Sequence, residues 1–511
     1  MTQFCPQRET LHQLTIGAGV VGADATRSSV AGRPPVRSPR LLVAGLSVVV
    51  ITVAVLQTAV VPVLGVMAEQ LDVSAVAVSW AVTANLLAAV AATPLVGRLA
   101  DLHSKKRVLL WVLAIVLVGS VLAATTSSLA LLIVGRILQA ASYALYPISI
   151  AILREELSHG RLMSAMAVMS GALGFGGGAG LVVVGLLMSG DADYHRVFWL
   201  TTAFTVMVIV IVVAVVPNRP RSATGTIDWL GAAALAAGLS TALLAITQGY
   251  TWGWASPATL GCAALGIGLL VGWWKWERRA RQPLVSTAML ARRPILMTNV
   301  ATIFVGMGLY FAFLGLTLFV QIPRETAGYG FDATVLEASV VYLLPGAVTG
   351  FLVAMASGRF IDRFGARPVL IVAAIAGIAG FTFVAFAHSQ PWQVIVASIL
   401  ANAYISLGYG ALPALVVSEV DAGETGVATS MNAIARTIGS SMAAAVVAML
   451  LARTMAGTDV PVQSSYVAIF VGGAVTAALA LILVAFTNPR RRTATSLEAQ
   501  YETRAMNHEW G

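Results

Sequence analysis

Long apolar runs separated by short polar segments are the main pattern along this chain. A helix needs about 20 consecutive apolar residues to cross the hydrocarbon core of a bilayer. Fourteen runs of this kind begin near Leu41, Val78, Val108, Leu129, Leu162, Val197, Ile227, Ala258, Ile295, Leu336, Pro368, Trp392, Gly426 and Tyr466. The pattern therefore predicts an all-α integral membrane protein with fourteen transmembrane helices.

Composition supports this interpretation and excludes a soluble domain. Of the 511 residues, 58% are hydrophobic and 10% are charged, whereas soluble domains carry about 25% charged residues. The net charge of +9 sits in short runs beside apolar segments, and no separate polar domain is available to bind nucleic acid. Cys5 and Cys262 have neither disulfide nor metal-ligand spacing, so no metal or other cofactor is expected.

Basic residues are found mainly after the even-numbered helices. Lys105, Lys106 and Arg107 follow the second helix, and three arginines at 490–492 follow the last, although the segment after the twelfth helix has no Lys or Arg. Because Lys and Arg stay on the cytoplasmic side, we expect both termini to be cytoplasmic and the protein to lie in the plasma membrane. The basic first 40 residues are interpreted as a disordered tail, since the apolar run after them is too long for a signal peptide.

A short charged sequence occurs twice. GRLADLHSKKR begins at Gly97 and GRFIDRFGARP begins at Gly358, so that Gly97 and Gly358, like Asp101 and Asp362, lie 261 positions apart. Parallel repeats around a central site are a known transporter architecture. The repeat predicts two six-helix halves, at 41–216 and 295–488, with two extra helices and a linker at 217–294 between them. A basic tail at 1–40 and a second tail at 489–511 complete the division.

Several sequence motifs resemble those of the major facilitator superfamily. Gly97–Asp101 followed by Lys105–Lys106 is similar to the signature motif of that family, and LIVGRILQ at Leu132–Gln139 is similar to its second motif. GGGAGLVVVG at Gly176–Gly185 resembles the antiporter motif of the family's exporters. IDWLG, beginning at Ile227, and the later QGYTWGW resemble the extra-helix region of its fourteen-helix drug:proton antiporters. The resemblance implies a major facilitator fold.

Four positions depart from the family pattern. Leu181 stands where the antiporter motif has proline, and Gln57 stands where the fourteen-helix branch has an aspartate in its first helix. Ser104 replaces a glycine that the second copy keeps as Gly365, and Ala140 replaces the glycine of the second motif.

The resemblance implies that the repeated charged segments, interpreted as cytoplasmic loops, form a conformational latch. An acid at the mouth of a helix can accept hydrogen bonds from the positive N-terminus of a neighbouring helix. The alternative is a solvated basic anchor without a conformational role. The candidate latch residues are Gly97, Arg98, Asp101, Lys105 and Lys106 in the first copy and Gly358, Arg359, Asp362, Arg363 and Arg367 in the second.

Gly176, Gly180 and Gly185 of the fifth helix form the second candidate feature. Small residues four positions apart let membrane helices approach closely, which suits a helix at the interface between the halves. Tight packing without any moving part is the alternative. A dinucleotide-binding fingerprint is excluded, because these glycines lie inside an apolar helix and follow no strand.

Charged residues within apolar helices are the third candidate feature, because their burial in a membrane is costly and usually functional. Arg136 and Arg436 are the clear cases, with a structural role as the alternative for each. Gln57 and Arg136 are expected at similar depth, and we expect Arg136 to contribute to a central cavity. No carboxylate is expected at mid-membrane, so a coupling proton would be carried by Asp101, by Asp332, Glu337 or Glu419 near the helix ends, or by the substrate. Glu337 is the favoured outer proton site.

These features together indicate a secondary active transporter, not an enzyme. The favoured function is proton-coupled efflux of amphipathic small molecules by alternating access. Two alternatives stay open, namely a carrier of an anionic or lipid-like solute without proton antiport, and a receptor or scaffold with a transporter-like body. The expected partners are a small-molecule substrate, protons and the lipid bilayer, and we expect a monomer.

Overall fold

The computed structural model describes residues 38–188, 192–220, 225–420, 424–455, 458 and 460–486. Within these residues, fourteen helices are long and apolar enough to cross a membrane, which confirms the predicted count. They are α1 (Pro39–Gln70), α2 (Ala77–Leu102), α3 (Lys105–Thr125), α4 (Leu129–Glu156), α5 (Ser164–Leu187), α6 (His195–Val215), α7 (Trp229–Trp252), α8 (Pro257–Glu277), α9 (Arg293–Val320), α10 (Ala338–Ile361), α11 (Ala366–Phe386), α12 (Pro391–Ser418), α13 (Thr425–Leu451) and α14 (Gln463–Phe486). The predicted tails 1–40 and 489–511 lie outside the described residues, except for residues 38–40.

Helices α1–α6 and α9–α14 form two six-helix halves, as predicted for a major facilitator fold. Two helix pairs supply most of the contact between the halves, to which α5–α12 and α4–α13 add. Helix α5 packs against α10, and α2 packs against α13. Each pair joins a helix of the first half to one of the second, so any rearrangement of the halves must change these contacts.

The two extra helices, α7 and α8, pack closely on each other. Gly238 of α7 lies against Leu270 of α8, and Gly266 of α8 lies against Ala242 of α7. Helix α7 also contacts both α2 and α13, whereas α8 is the least buried of the fourteen spans, with 17% of its apolar window buried. The pair therefore lies beside the α2–α13 junction, with α8 facing outward to the lipid.

Three membrane helices contain a segment that is not α-helical. Helix α4 contains a 3₁₀ turn at Ala140–Ala144 and α1 contains one at Val61–Val63. Helix α10 starts with a π-helical segment, Ala338–Leu343, just before Pro345, and proline supplies no backbone donor for the regular pattern. Breaks of this kind are frequent at functional sites, and two of these three contribute residues to the central cavity described below.

The repeated charged segments are mostly helical, so their interpretation as loops was wrong. Helix α2 continues to Leu102 and the next helix begins at Lys105, which places Gly97 and Asp101 in the last turns of α2. In the second copy the helix extends to Phe364. The polar residues had indicated loops, but several of them are buried against neighbouring helices, where helical backbone satisfies its own hydrogen bonds.

Only one of the two copies needs glycine at its turn. Gly365 has a φ of +86°, a conformation that glycine adopts readily and other residues do not. Ser104, at the matching place of the first copy, has a φ of −64°. The departure at Ser104 noted in the sequence is therefore compatible with the fold.

Candidate functional site

Asp101 links the two halves at one end of the bundle, which we call the Asp101 end. Its side chain is fully buried. Oδ1 accepts a hydrogen bond from the backbone N–H of Gly426 at 3.2 Å, and Oδ2 accepts one from Val427 at 3.1 Å. These N–H groups belong to the first turn of α13, where the helix dipole is positive. A side chain at Gly426 would begin 2.5 Å from Asp101 Oδ1, so only glycine leaves room for the carboxylate.

The glycines that open the two repeated segments occupy matching positions. Gly97 packs directly on Ser430 of α13, so any side chain there would collide with Ser430 Oγ. Gly358 packs on Ser164 of α5, where a side chain would begin 2.7 Å from the Ser164 Cα. Each glycine thus brings a helix of one half against the first turns of a helix of the other half. The side chain of Asp362 lies outside the described residues.

Lys105 and Lys106 contact acceptor groups within the first half. Lys105 Nζ lies 2.5 Å from Glu155 Oε1, and the lysine is 5% exposed. Lys106 Nζ donates a hydrogen bond to the Val213 carbonyl at 2.8 Å. These lysines therefore tie α3 to α4 and α6.

Arg98 faces the extra helices. It is half-buried, and its charge acts on the carboxylates of both Asp101 and Glu277. Glu277 is 2% exposed, and its Oε1 accepts the N–H of Val285 at 2.6 Å. Arg98 therefore places the Asp101 contact and the end of α8 in one electrostatic cluster.

The basic residues of the second copy have mainly local contacts. Arg359 and Arg363 are exposed, and the Arg363 guanidinium lies 5.3 Å from the Phe364 ring centroid. Arg367 donates a hydrogen bond to the Ala485 carbonyl at the end of α14. The structure does not place these three arginines together with Asp101.

Arg154 is a contact between the halves that the sequence did not single out. It lies near the end of α4 and donates hydrogen bonds to Thr425 Oγ1 and to the Val420 carbonyl, the latter at 2.7 Å. Both acceptors flank the start of α13, the helix that Asp101 also contacts. In the sequence, Arg154 was indistinguishable from the other basic residues that follow the even-numbered helices.

Glu156, two positions after Arg154 at the end of α4, contacts another segment. Glu156 accepts two hydrogen bonds from Arg219, from Nε at 2.7 Å and from the guanidinium NH2 at 2.9 Å. The bidentate contact raises the pKa of Arg219 above its usual range. The end of α4 is thereby fixed against the segment that leads to the extra helices.

The glycines of α5 allow close packing on two opposite faces of that helix. A side chain at Gly176 would begin 3.0 Å from Ile51 Cα of α1, and one at Gly180 would begin 3.3 Å from Val55 Cγ2. On the other face, Gly178 packs directly on Ala347 of α10, and a side chain at Gly185 would begin 3.4 Å from Leu336 Cα. Close packing on both sides places α5 between the halves, as its sequence predicted.

A cavity of about 1090 Å³, including any part open to solvent, lies between the halves. Both halves line it, as do the 3₁₀ turn of α4 and the π-helical segment of α10. Its polar lining includes Gln57, Tyr143, Tyr310, Asn402, Tyr409 and Arg436. Most of the remaining lining is aliphatic or aromatic, so the cavity suits an amphipathic molecule.

Arg436 carries the fixed charge of this cavity. It is 8% exposed, and its guanidinium carbon lies 4.8 Å from the Tyr409 ring centroid and 5.4 Å from that of Tyr146. Within the described residues, its guanidinium has no hydrogen-bond acceptor, and no Asp or Glu lines the cavity. The two rings stabilise the cation without neutralising it.

Arg136 is not part of the cavity lining, which corrects the expectation from sequence. It is 2% exposed, and its guanidinium donates to the carbonyls of Ala81 and Leu56 at 3.1 and 3.3 Å and to Gln139 Oε1 at 2.6 Å. The Asn85 side chain in turn donates to the Arg136 carbonyl at 2.7 Å. These contacts connect α4 to α1 and α2, so the geometry favours the structural alternative for Arg136.

Gln57 and Glu337 differ in their relation to the cavity. Gln57 lines it, and its buried Nε2 has no hydrogen-bond partner among the described residues. Glu337 is exposed just before α10 and is absent from the lining. Its Oε2 accepts hydrogen bonds from the Thr334 N–H and hydroxyl at 2.9 and 3.1 Å, a contact that caps the start of a helix.

The chain is similar in sequence to a known protein family and to several known proteins. The sequence model of the Major Facilitator Superfamily matches residues 46–444 and 358–508. The chain is 26% identical over 394 residues to the tetracenomycin C resistance and export protein of Streptomyces glaucescens, covering 75% of this chain and 70% of that protein. It is 23% identical over 369 residues to multidrug resistance protein 3 of Bacillus subtilis, covering 71% and 70%.

Other similar proteins differ in length or in named substrate. The chain covers 62% of an MFS-type transporter of Mycobacterium tuberculosis, which matches 84% of this chain at 27% identity. It is 24% identical to the uridine/deoxyuridine transporter of Lactococcus lactis over 362 residues, covering 69% of this chain and 73% of that protein. Among solved structures, the human organic anion transporter MFSD10 has the same fold, with a TM-score of 0.60, 15% identity and coverage of 88% and 100%.

Proposed function

This membrane transporter belongs to the major facilitator superfamily, and we propose that it is a proton-coupled exporter of amphipathic small molecules that works by alternating access. The observation that carries the proposal is the buried Asp101 contact between the halves, in a bundle that also holds a central amphipathic cavity. Export is supported by two relatives whose names include drug resistance or export.

We propose that the Asp101 end is cytoplasmic and that its contacts form the latch. A hydrogen bond to a charged group contributes about 1.5–3 kcal/mol, and Asp101 accepts two from the start of α13. Arg154 adds hydrogen bonds to the same region. While these contacts hold, that end of the bundle is closed, and breaking them lets the halves separate there and expose the cavity to the cytoplasm.

The orientation and the division of the chain belong to the same proposal. The basic residues after the even-numbered helices support a cytoplasmic Asp101 end and cytoplasmic termini. We propose 41–216 and 295–488 as the two moving halves. The extra helices within 217–294 lie beside the α2–α13 junction, where they can stay in contact with both halves.

The proton is proposed to act at Asp101. An amide such as Gln57 does not titrate near neutral pH, and Glu337 is exposed and used as a helix cap. Among the described residues, Asp101 and Glu277 are the buried acidic residues, and the Glu156 side chain, 5% exposed, is paired with Arg219. A proton on Asp101 removes the negative charge that faces the positive end of α13, which favours opening of the cytoplasmic end.

An efflux assay in a host that lacks its own pumps tests this function. Cells expressing the protein are loaded with a panel of amphipathic dyes of either charge, and efflux is measured with and without an uncoupler. We expect uncoupler-sensitive efflux that Asp101→Asn reduces at least tenfold at equal membrane abundance. Asp72→Asn is the matched control, because Asp72 is exposed and has a φ of 51°, which asparagine also tolerates.

Two results would reject the proposal. Efflux that continues unchanged with the uncoupler would separate transport from the proton gradient. Equal efflux by the Asp101→Asn variant and the unmodified protein would remove the latch role.

A further inference from the structure

We infer that the central cavity binds organic anions that carry an aromatic ring, and that Arg436 receives their negative charge. This inference rests on the proposed function, because it takes the cavity to be the path of the substrate. It goes further by stating the charge and shape that the cavity selects.

The unbalanced charge of Arg436 is the first feature that favours binding of an anion. The residue lies near the middle of α13 and is 8% exposed. An arginine has five N–H donors, and within the described residues none of those of Arg436 has a hydrogen-bond acceptor. A buried charge without a partner is costly, so a carboxylate or sulfonate that enters the cavity supplies the acceptor that the protein lacks.

The comparison with Arg136 shows that this arrangement is specific to Arg436. Arg136 is also buried in an apolar helix, yet its guanidinium donates to two backbone carbonyls and to Gln139. The chain therefore supplies three acceptors to the guanidinium of one buried arginine and leaves that of the other facing the cavity.

The aromatic rings near Arg436 are the second feature that favours binding of an anion. The rings of Tyr146 and Tyr409 lie within 5.4 and 4.8 Å of its guanidinium carbon. Tyr146 is held in place, since its hydroxyl contacts Ser170 Oγ at 3.0 Å and donates to the Tyr409 carbonyl at 3.3 Å. The guanidinium thus lies near two aromatic rings, one of them held in place, and can form a bidentate contact with an anion.

The rest of the cavity wall is the third feature, since it can contact the body of an aromatic ligand. Tyr143, Tyr310 and Phe313 supply aromatic surface for the body of a ligand. Gln57 supplies a buried N–H donor without a partner, which can bind a second acceptor on the ligand. Among the described residues, no carboxylate lines the wall, so a cationic ligand meets the like charge of Arg436 without a neutralising acid.

A charge series of one ring system tests the inference without requiring transport. The probes are 2-naphthoate, the neutral 2-naphthalenemethanol and the cationic 2-naphthylmethylammonium. Binding of each probe to purified full-length protein in detergent is measured by isothermal titration calorimetry, and the neutral probe corrects for partition into micelles. We expect 2-naphthoate to bind at least tenfold more tightly than the cation.

Variants then test the role of Arg436. Arg436→Gln is expected to lower the affinity for 2-naphthoate at least tenfold, while Arg436→Lys keeps a preference for the anion. Arg453→Gln is the matched control, because Arg453 is exposed just beyond the far end of the same helix, and it should leave the affinity unchanged. Monodispersity in size-exclusion chromatography identifies variants that fold.

The inference is overturned if the unmodified protein binds the cation as tightly as 2-naphthoate. That arm needs no variant and is decisive even where Arg436→Gln does not fold. A folded Arg436→Gln variant that keeps the preference would also overturn it. Because binding is measured without a gradient, an anion preference can hold while proton-coupled export fails, and export can hold with a cation preference.

Discussion

Replacing Asp101 by asparagine should open the closed end of the bundle. The substitution keeps the size of the side chain but leaves one acceptor oxygen and introduces an NH2 group. Both carboxylate oxygens of Asp101 now accept a backbone N–H from the start of α13. In the variant, one of those two N–H groups has no acceptor and the other binds a neutral oxygen.

The expected magnitude follows from these two hydrogen bonds. Loss of one bond to a charged acceptor costs about 2 kcal/mol, and conversion of the other to a neutral bond costs about 1 kcal/mol. The total of about 3 kcal/mol shifts the equilibrium between the closed and open end by about a hundredfold, since every 1.4 kcal/mol is a factor of ten. Loss of the favourable contact between the charge and the dipole of α13 acts in the same direction.

Thiol labelling measures this shift. Ser430 is fully buried against Gly97, so Ser430→Cys in a background without Cys5 and Cys262 reports on opening. We expect N-ethylmaleimide to label this cysteine about a hundredfold faster in the Asp101→Asn variant than in its parent, in proportion to the open fraction. Equal rates, or an equal increase caused by the exposed-site control Asp72→Asn, would refute the reasoning.

Further predictions concern residues that the structure assigns to different environments. Arg154→Ala should lower transport at least tenfold at unchanged abundance in vesicle assays, because its bonds to Thr425 and the Val420 carbonyl are lost. Arg136→Gln should destabilise the fold by about 3 kcal/mol, because buried acceptors lose hydrogen bonds from a charged donor, and this is measured as a lower melting temperature in detergent. Glu337→Gln should leave transport unchanged, since the amide oxygen still caps the helix. Ser104→Cys should react with an impermeant thiol reagent in inverted vesicles and not in intact cells; the reverse pattern would overturn the orientation.

The fold was predictable because lipid constrains a membrane chain strongly. Backbone groups must be satisfied within each span, so apolar length alone located all fourteen helices. The packing role of Gly176 and Gly180 also followed from their spacing. The ends of the spans were less predictable: Gly97 and Asp101 were interpreted as part of a loop because they are polar or small, yet they form the last turns of α2.

The different environments of the two buried arginines could not be predicted from the sequence. Arg136 and Arg436 both occur in apolar runs, and local sequence does not distinguish them. Their environments depend on which neighbours each helix face meets, namely carbonyls of α1 and α2 for Arg136 and a cavity for Arg436. Arg154 was missed for the same reason, because its acceptors at the start of α13 are 266 and 271 positions away in sequence.

Transport by the purified chain in proteoliposomes tests the central claim most directly. Full-length protein is reconstituted, a proton gradient is imposed by dilution, and accumulation of 2-naphthoate and of the amphipathic cation ethidium is followed against empty liposomes. The account predicts accumulation of 2-naphthoate above its equilibrium level, which ends when an ionophore collapses the gradient and which Asp101→Asn slows at least tenfold. Equal accumulation of every probe with and without the gradient would contradict proton-coupled transport by this protein.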